Sequence, residues 1–303
     1  MTIPTRRSFL KTSMGIVGLA LPESPLFLQK PKPRLSFSTL GCPAWPLSTI
    51  LKSAVGNGYG AVELRGLQNE MELTKCPEFS SPARIAETRR RFEDTGLEIC
   101  GLGSSAQLHH ADKTKRQQNL DEARRYLDLA AQLRCPAVRV FPDSLPKNQD
   151  REVTLSLISE GLLELGNHAK TDSVNVLLES HGEVVTTDVL LRILKAAEHP
   201  HVGLIWDVFN MWSETGEAPR AVYHSLGPYI RHTHIKDGRV VDGKHQYVRV
   251  GRGEAPLREA IAALVAGGYE GYYSLEWEKK WHPELEEPEA VFADYPKAMR
   301  AYF

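Results

Sequence analysis

Short apolar runs alternate with longer amphipathic segments along most of the chain. The short runs are rich in β-branched and aromatic residues, which is typical of buried parallel strands. We predict eight strands, at Leu35–Leu40, Ala61–Leu64, Leu97–Leu102, Ala137–Phe141, Val174–Glu179, Val202–Asp207, Ile230–Ile235 and Gly271–Glu276. The segments between them have helical spacing of apolar residues. Strict alternation of strand and helix over eight units predicts a single closed (β/α)8 barrel, the TIM barrel.

The residues at the helix ends agree with this pattern. Helices are predicted at 47–57, 82–95, 114–133, 152–170, 187–197, 220–226, 257–266 and 289–302. Ser81 is a typical helix start and Gly96 a typical helix end.

The main alternative to a closed barrel is an open, doubly wound sheet. However, no Gly-x-Gly-x-x-Gly follows the first strand, and Gly101-Leu102-Gly103 alone is too weak a motif to indicate a dinucleotide.

Composition and charge restrict the class of protein. The chain has 303 residues, of which 42% are hydrophobic and 25% charged, as expected for one large α/β barrel. The formal net charge is -1, so no overall positive field exists to attract nucleic acid or an anionic membrane. A small neutral or weakly charged substrate fits better.

The N-terminus has the form of a twin-arginine export signal. Residues 5–11 read Thr-Arg-Arg-Ser-Phe-Leu-Lys, and an apolar run follows at 14–21. A basic N-terminus without a targeting role is the alternative. The run is too short to span a bilayer, so no stable membrane insertion is expected. We predict that residues 1–30 are a signal peptide and linker, that residues 31–303 form the barrel, and that the twin-arginine machinery exports the protein to the periplasm.

Four successive predicted strands each end in a polar residue. These are Glu179, Asp207, His234 and Glu276. The ends of barrel strands form the active site of this fold, and a charge buried there is costly without a partner. Three carboxylates and one imidazole predict one divalent metal ion, Mn²⁺ in preference to Mg²⁺, Co²⁺ or Zn²⁺. Ordinary solvent-facing strand ends are the alternative.

The seventh strand carries a second pattern. His232, His234 and Lys236 alternate with Thr233 and Ile235, so the first three share the inward face. We predict that His234 is the metal ligand and that His232 lies deeper, as a hydrogen-bonded core residue. Lys236 is left open between a contact with substrate and an ion pair with Asp237 or Glu276.

Other polar residues near strand ends are candidates for substrate binding. They are Glu63, His109, His181, Asn210 and Arg252. For Glu63 the alternative is a salt bridge with Arg65, and for His181 and Asn210 it is an ordinary loop position. His109 is expected in a loop over the site, and Arg252 in a turn that reaches over the rim.

The predicted metal and carboxylates suggest a reaction. A divalent metal can chelate a sugar carbonyl and its adjacent hydroxyl and stabilise an enediolate. Glu179 and Glu276 would flank the substrate, so that one removes the proton next to the carbonyl and the other returns it on the opposite face. This predicts epimerisation or isomerisation.

The chain resembles the sugar phosphate isomerase/epimerase family of xylose isomerase-like barrels over about residues 34–302. The motifs that carry the resemblance are Leu178–Gly182, Trp206–Asn210, His232–Asp237 and Ser274–Trp277. In relatives that act on ketoses, the positions matching Glu179, Asp207, His234 and Glu276 bind the metal, and the two glutamates move the proton. The position matching Asn210 is often a histidine, which places that substrate contact in doubt.

The sequence therefore predicts a metal-dependent sugar isomerase or epimerase with a small-molecule sugar substrate. A lyase that performs β-elimination on 3-keto-glycosides or related oxidised sugars is the first alternative, because proton abstraction is the shared first step. A non-catalytic carbohydrate-binding barrel is the second. The nucleic-acid-cleaving branch of the family needs more histidines and a basic surface, neither of which is evident. Association into a homo-oligomer is left open.

Overall fold

Eight parallel strands close into a barrel in the structure, a computed structural model that describes residues 32–303. In chain order they are β1 (Leu35–Ser38), β2 (Ala61–Leu64), β3 (Glu98–Gln107), β4 (Ala137–Phe141), β5 (Asn175–Glu179), β6 (Val202–Asp207), β7 (Ile230–Ile235) and β10 (Tyr273–Leu275), while β8 (Asp237–Val241) and β9 (Lys244–Val248) form a separate antiparallel hairpin. Each barrel strand pairs with the barrel strands before and after it in the chain, and β1 pairs with both β2 and β10. The predicted TIM barrel is confirmed.

Helices follow the strands and cover the outside of the barrel. They are α1 (Leu47–Asn57), α2 (Pro82–Thr95), α3 (Lys113–Leu133), α4 (Arg151–Ala169), α5 (Thr187–Ala196), α6 (Val208–Thr215), α7 (Pro219–Leu226), α8 (Leu257–Ala266) and α9 (Pro288–Met299). The predicted cap of α2 is present, because Ser81 Oγ accepts the Arg84 amide at 3.3 Å. At the end of this helix Gly96 adopts a left-handed φ of 70°, as a C-terminal glycine does.

Three elements differ from the sequence prediction. Strand β3 continues to Gln107 instead of ending at Leu102, and α6 starts directly after Asp207, where no helix was predicted. The β8–β9 hairpin was also missed. Its turn is Asp242-Gly243, with φ of 50° and 72°, and an Asp-Gly pair between extended segments is a strong hairpin signal.

Side-chain alternation separates the barrel interior into layers. Ala137, Leu177 and Ile205 form a small apolar cluster. Two residues further along the same strands, toward their carboxyl ends, stand Arg139, Glu179 and Asp207, all buried. Charged groups thus occupy the layer nearest the rim at which the active sites of this fold form.

No helix among residues 32–303 is long and apolar enough to cross a membrane. The predicted signal segment, residues 1–30, lies outside the described residues.

Candidate metal centre and active site

The four predicted metal ligands meet inside the barrel. Glu179, Asp207, His234 and Glu276 are all buried, and each offers one ligand atom within 4.8 Å of the others. His234 Nδ1 lies 2.9 Å from Glu179 Oε1, 3.3 Å from Glu276 Oε1 and 4.0 Å from Asp207 Oδ2. The register of the strands explains this, because Asp207 is directly opposite His234 across β6 and β7.

The two carboxylate oxygens of Asp207 have different partners. It ends β6 and caps α6, since its Oδ1 accepts the Asn210 amide at 2.8 Å. Its Oδ2 faces the cluster and lies 2.8 Å from Lys236 Nζ, while Glu179 Oε2 lies 3.1 Å from Arg139 Nη1. Three buried carboxylates that converge on one imidazole nitrogen are a donor set that fits a divalent cation.

Glu63 fixes the orientation of His234, the predicted histidine ligand. Its Oε2 is 3.0 Å from His234 Nε2 and 2.9 Å from His232 Nε2. With Nε2 held by this carboxylate, Nδ1 of His234 faces the cluster, an arrangement common around metal-bound histidines. The structure thus places Glu63 below the ligands with the two histidines, and it shows no salt bridge between Glu63 and Arg65.

Lys236 lies among the carboxylates. Its Nζ is 2.7 Å from Glu276 Oε2, 2.8 Å from Asp207 Oδ2 and 2.6 Å from Glu278 Oε1. Of the two predicted partners, it therefore pairs with Glu276. Asp237 instead accepts the backbone amides of the loop after β9, including that of Gly251 at 2.8 Å.

Burial and mutual charge shift the ionisation of the cluster. Burial raises the pKa of Asp207 to about 7, and the charges of Glu276 and Glu179 add to this, against Lys236. Burial alone would raise the pKa of Glu179, but His234 and Arg139 hold it well below its usual range. Burial lowers the pKa of His234, but the surrounding carboxylates outweigh this and raise it well above the usual value. The carboxylates thus repel one another and are stabilised by the positive charges of His234, Lys236 and Arg139.

A cavity of about 210 Å³ opens at the cluster. Two predicted catalytic residues, Glu179 and Glu276, line it, and so does His181. Arg65, considered from the sequence as a salt-bridge partner of Glu63 or a substrate contact, also lines it. Other lining residues were not predicted for the site; they include Gln107, Arg139, Asp143, Glu278 and Trp281. A mixed polar and aromatic wall of this size suits one small polar molecule.

Arg139 is the central residue that the sequence analysis missed. Its Nη1 lies 3.1 Å from Glu179 Oε2 and 3.7 Å from Glu276 Oε1. The sequence does contain an indication of its role, because Arg139 is a charged residue within the otherwise apolar run of β4. In a barrel such a residue must point inward and find a partner there.

His181 forms part of the cavity wall through a local pair. Its Nδ1 is 3.1 Å from Asp143 Oδ1. Burial lowers the pKa of His181, but this hydrogen bond and Glu179 outweigh it and raise the pKa overall. Gly182 makes the approach feasible, since a Cβ at that position would lie only 2.2 Å from the Asp143 carbonyl oxygen.

Of the predicted substrate contacts only His181 lines the cavity; Glu63 and Lys236 lie at the predicted metal ligands, and three others lie elsewhere. Asn210 lies in the first turn of α6, where its backbone amide is used by Asp207. His109 is buried with its ring against His110, at 4.0 Å between ring centroids. Arg252 has a side chain that is 60% exposed, with Nη2 3.8 Å from Asp294 of α9.

The chain belongs to the xylose isomerase-like TIM barrel family, whose profile matches residues 51–302. It is 26% identical over 239 residues to a 3-dehydroshikimate dehydratase of Pseudomonas putida, covering 75% of this chain but only 35% of that protein. It is 24% identical over 248 residues to fructoselysine 3-epimerase of Escherichia coli O157:H7, covering 78% of this chain and 88% of the epimerase. Among solved structures, the IolI protein with a bound zinc atom superimposes with a TM-score of 0.76 at 20% identity, over 89% of this chain and 99% of IolI.

Proposed function

We propose that this protein is a metal-dependent enzyme that isomerises or epimerises a sugar by removing the proton next to a carbonyl. The observation that carries the proposal is the buried group Glu179, Asp207, His234 and Glu276, two of whose carboxylates line the cavity. The oxygen-rich ligand set favours Mn²⁺, with Mg²⁺, Co²⁺ and Zn²⁺ as alternatives. An epimerase among the relatives supports this activity.

When bound by these four residues, a divalent cation would polarise the substrate carbonyl and stabilise the charge of the enediolate. The chain's own residues handle the proton. Glu179 and Glu276 stand on two strands separated by β6 and β7, so they approach a substrate in the cavity from two directions. One carboxylate removes the proton and the other returns it on the opposite face. Arg139 holds both carboxylates, while Lys236 positions Glu276.

A lyase is the second candidate, and His181 is the observation that favours it. Its raised pKa and its hydrogen bond to Asp143 supply a proton donor at the cavity wall. After proton abstraction, such a donor would assist the departure of a leaving group, as in β-elimination from 3-keto-glycosides or related oxidised sugars. A dehydratase among the relatives supports the same first step. A non-catalytic carbohydrate-binding barrel is less consistent with the intact group of four ligands.

We also propose that the twin-arginine motif at Arg6 and Arg7 directs export to the periplasm. Fusion of residues 1–30 to a reporter that is active only when exported folded would test this. Replacement of both arginines by lysine should abolish export.

The central experiment follows hydrogen exchange. Purified protein with Mn²⁺ is incubated in deuterated water with ketoses and with 3-keto-glycosides. Deuterium next to the carbonyl in an intact skeleton supports epimerisation, and release of the aglycone supports the lyase. The exposed glutamate Glu87, paired with Arg84 on α2, provides a matched control as Glu87→Gln. If Glu179→Gln and Glu276→Gln behave like this control with every substrate, the proposed proton transfer is wrong.

A further inference from the structure

Two buried arginines share one side of the cavity. Arg65 follows β2 and Arg139 lies in β4, on either side of β3. They are 5% and 4% exposed, and both line the cavity. Burial of two guanidinium groups next to each other is costly unless anions compensate both charges.

The two arginines meet over Gly103 of β3. A Cβ on this glycine would lie 2.5 Å from Arg65 Cδ and 3.3 Å from Arg139 Nη2. Both side chains therefore cross the strand where it carries no side chain. Burial, and then the charge of Arg139, lower the pKa of Arg65 to about 10, in agreement with this proximity.

The partners of the two arginines differ. Arg139 forms ion pairs with the carboxylates of Glu179 and Glu276. Arg65 donates from Nη2 to Ser105 Oγ at 2.9 Å and from Nη1 to the Met71 carbonyl at 3.4 Å, and both of these acceptors are neutral.

No carboxylate of residues 32–303 forms a salt bridge with Arg65. Glu122 is near enough to raise its pKa, but the Glu122 carboxylate accepts the Ser105 amide at 2.6 Å. The Arg65 guanidinium is thus a buried cation at a cavity wall with no anion of its own.

We infer that Arg65, assisted by Arg139, binds a carboxylate of the substrate, so that the substrate is a keto acid of the sugar type, such as a ketouronate. A guanidinium binds a carboxylate through two parallel hydrogen bonds, and burial strengthens such a pair. Arg65 and Arg139 line the same cavity as Glu179 and Glu276, so the carboxylate and the ketone would belong to one small molecule. The inference rests on the proposed function for the ketone end only.

A phosphate would have the same sign of charge, but the residues that line the cavity do not include the run of backbone amides or glycines that cradles a phosphate. We therefore assign the subsite to a carboxylate and make a sugar phosphate an outcome of the test.

The test compares three ligands that differ at one carbon. Binding of D-fructuronate, D-fructose and D-fructose 6-phosphate is measured by calorimetry, with Mn²⁺ and without it. We expect D-fructuronate to bind about tenfold or more tighter than D-fructose, because charged hydrogen bonds are the stronger ones. Equal affinity, absence of D-fructuronate binding, or a preference for the phosphate would overturn the inference.

Variants assign the preference to the subsite. Arg65→Gln should abolish the preference for D-fructuronate, and Arg65→Lys should keep part of it, because lysine retains the charge but not the fork geometry. If Arg65→Gln does not fold, Arg65→Lys still tests the assignment by this partial loss. Arg192→Gln on the exposed side of α5 is the matched control. A preference that survives in Arg65→Gln would contradict the assignment.

Hydrogen exchange separates this inference from the proposed function. If D-fructose exchanges deuterium but D-fructuronate has no advantage in binding, the subsite is wrong and enolisation stands. If D-fructuronate binds through Arg65 but no sugar exchanges, the subsite stands and enolisation is wrong.

Discussion

Two groups of buried residues at the barrel rim differ in charge, a carboxylate half and an arginine half. Strands β5, β6, β7 and β10 bring three carboxylates and an imidazole together, and Lys236 is their internal cation. On the other side, Arg65 and Arg139 line the same cavity, and Arg65 has only neutral partners. A cation would complete the first half and an anion the second. The contrast indicates which end of a substrate each half would recognise.

The largest expected effect is on the carboxylate half. Glu179→Gln and Glu276→Gln should each reduce proton exchange by about 10²- to 10⁴-fold, because a positioned acid or base contributes a factor of that size. Deuterium incorporation measured by NMR checks this. A loss in only one variant would restrict proton transfer to a single glutamate and replace the two-face mechanism.

A smaller effect is expected below the ligands. Glu63→Gln should weaken metal binding by about 10- to 100-fold, since a carboxylate that orients a ligating histidine has an effect of this order. Calorimetric titration of the metal-free protein with Mn²⁺ measures it. Glu98→Gln, a change at an exposed partner of Arg34, is the control. Unchanged affinity in Glu63→Gln would show that His234 is oriented by other contacts.

The arginine half can be perturbed without substituting either arginine. Gly103→Ala would place a Cβ 2.5 Å from Arg65 Cδ. It should cost about 1–3 kcal/mol of unfolding free energy, as overpacked positions do, and weaken carboxylate binding. Denaturant unfolding and calorimetry measure both effects. We expect Mn²⁺ affinity to be retained, and a parallel loss of Mn²⁺ affinity would show that the two halves are not independent.

The smallest expected effect concerns the pair between His181 and Asp143. The Asp143 pKa is lowered, mainly by its hydrogen bond to His181, so its stabilisation exists above its unfolded pKa of about 4 and disappears as the pH falls through the folded value. The His181 pKa is raised, so its stabilisation exists below its unfolded pKa of about 6.5 and disappears as the pH rises through the folded value. Both contributions are present between about pH 4 and 6.5.

Asp143→Asn should therefore destabilise the protein in that window by up to about 1 kcal/mol, since the His181 side chain is partly exposed and solvent screens the pair. Asparagine tolerates the positive φ of position 143, which is 63°, so the backbone is not strained. Unfolding midpoints at pH 5 and pH 8.5 measure the effect. An equal difference at both values would exclude an ion pair as its source.

Much of the barrel and its ligand group was predictable from the sequence. Strand-end positions and period-two alternation are local properties, and they were enough to assign Glu179, Asp207, His234 and Glu276 to one rim. The Asp-Gly turn of the β8–β9 hairpin and the arginine within β4 were also visible as local signals. Neither feature follows from the strand–helix repeat, so the pattern of eight units does not predict them.

Other assignments depended on which residues meet across the closed barrel. Glu63 and His234 are 171 positions apart in the chain, and only closure between β1 and β10 brings them within 3.0 Å. Lys236 and Glu278 meet across the neighbouring strands β7 and β10, and Arg65 and Arg139 meet over Gly103 of β3. The alternation of residues along a strand predicts which face a side chain occupies, but it does not predict which other side chain it contacts there.

The sequence by itself determined the barrel, the inward face of each strand and the kind of atoms that line the rim, because these follow from backbone periodicity and burial. The tertiary structure decided which cations the buried carboxylates meet, which nitrogen of His234 faces Glu179 and Glu276, and which arginine lacks an anion. Those properties depend on distances of a few ångströms between residues that are remote in the chain, and only the packed interior sets them.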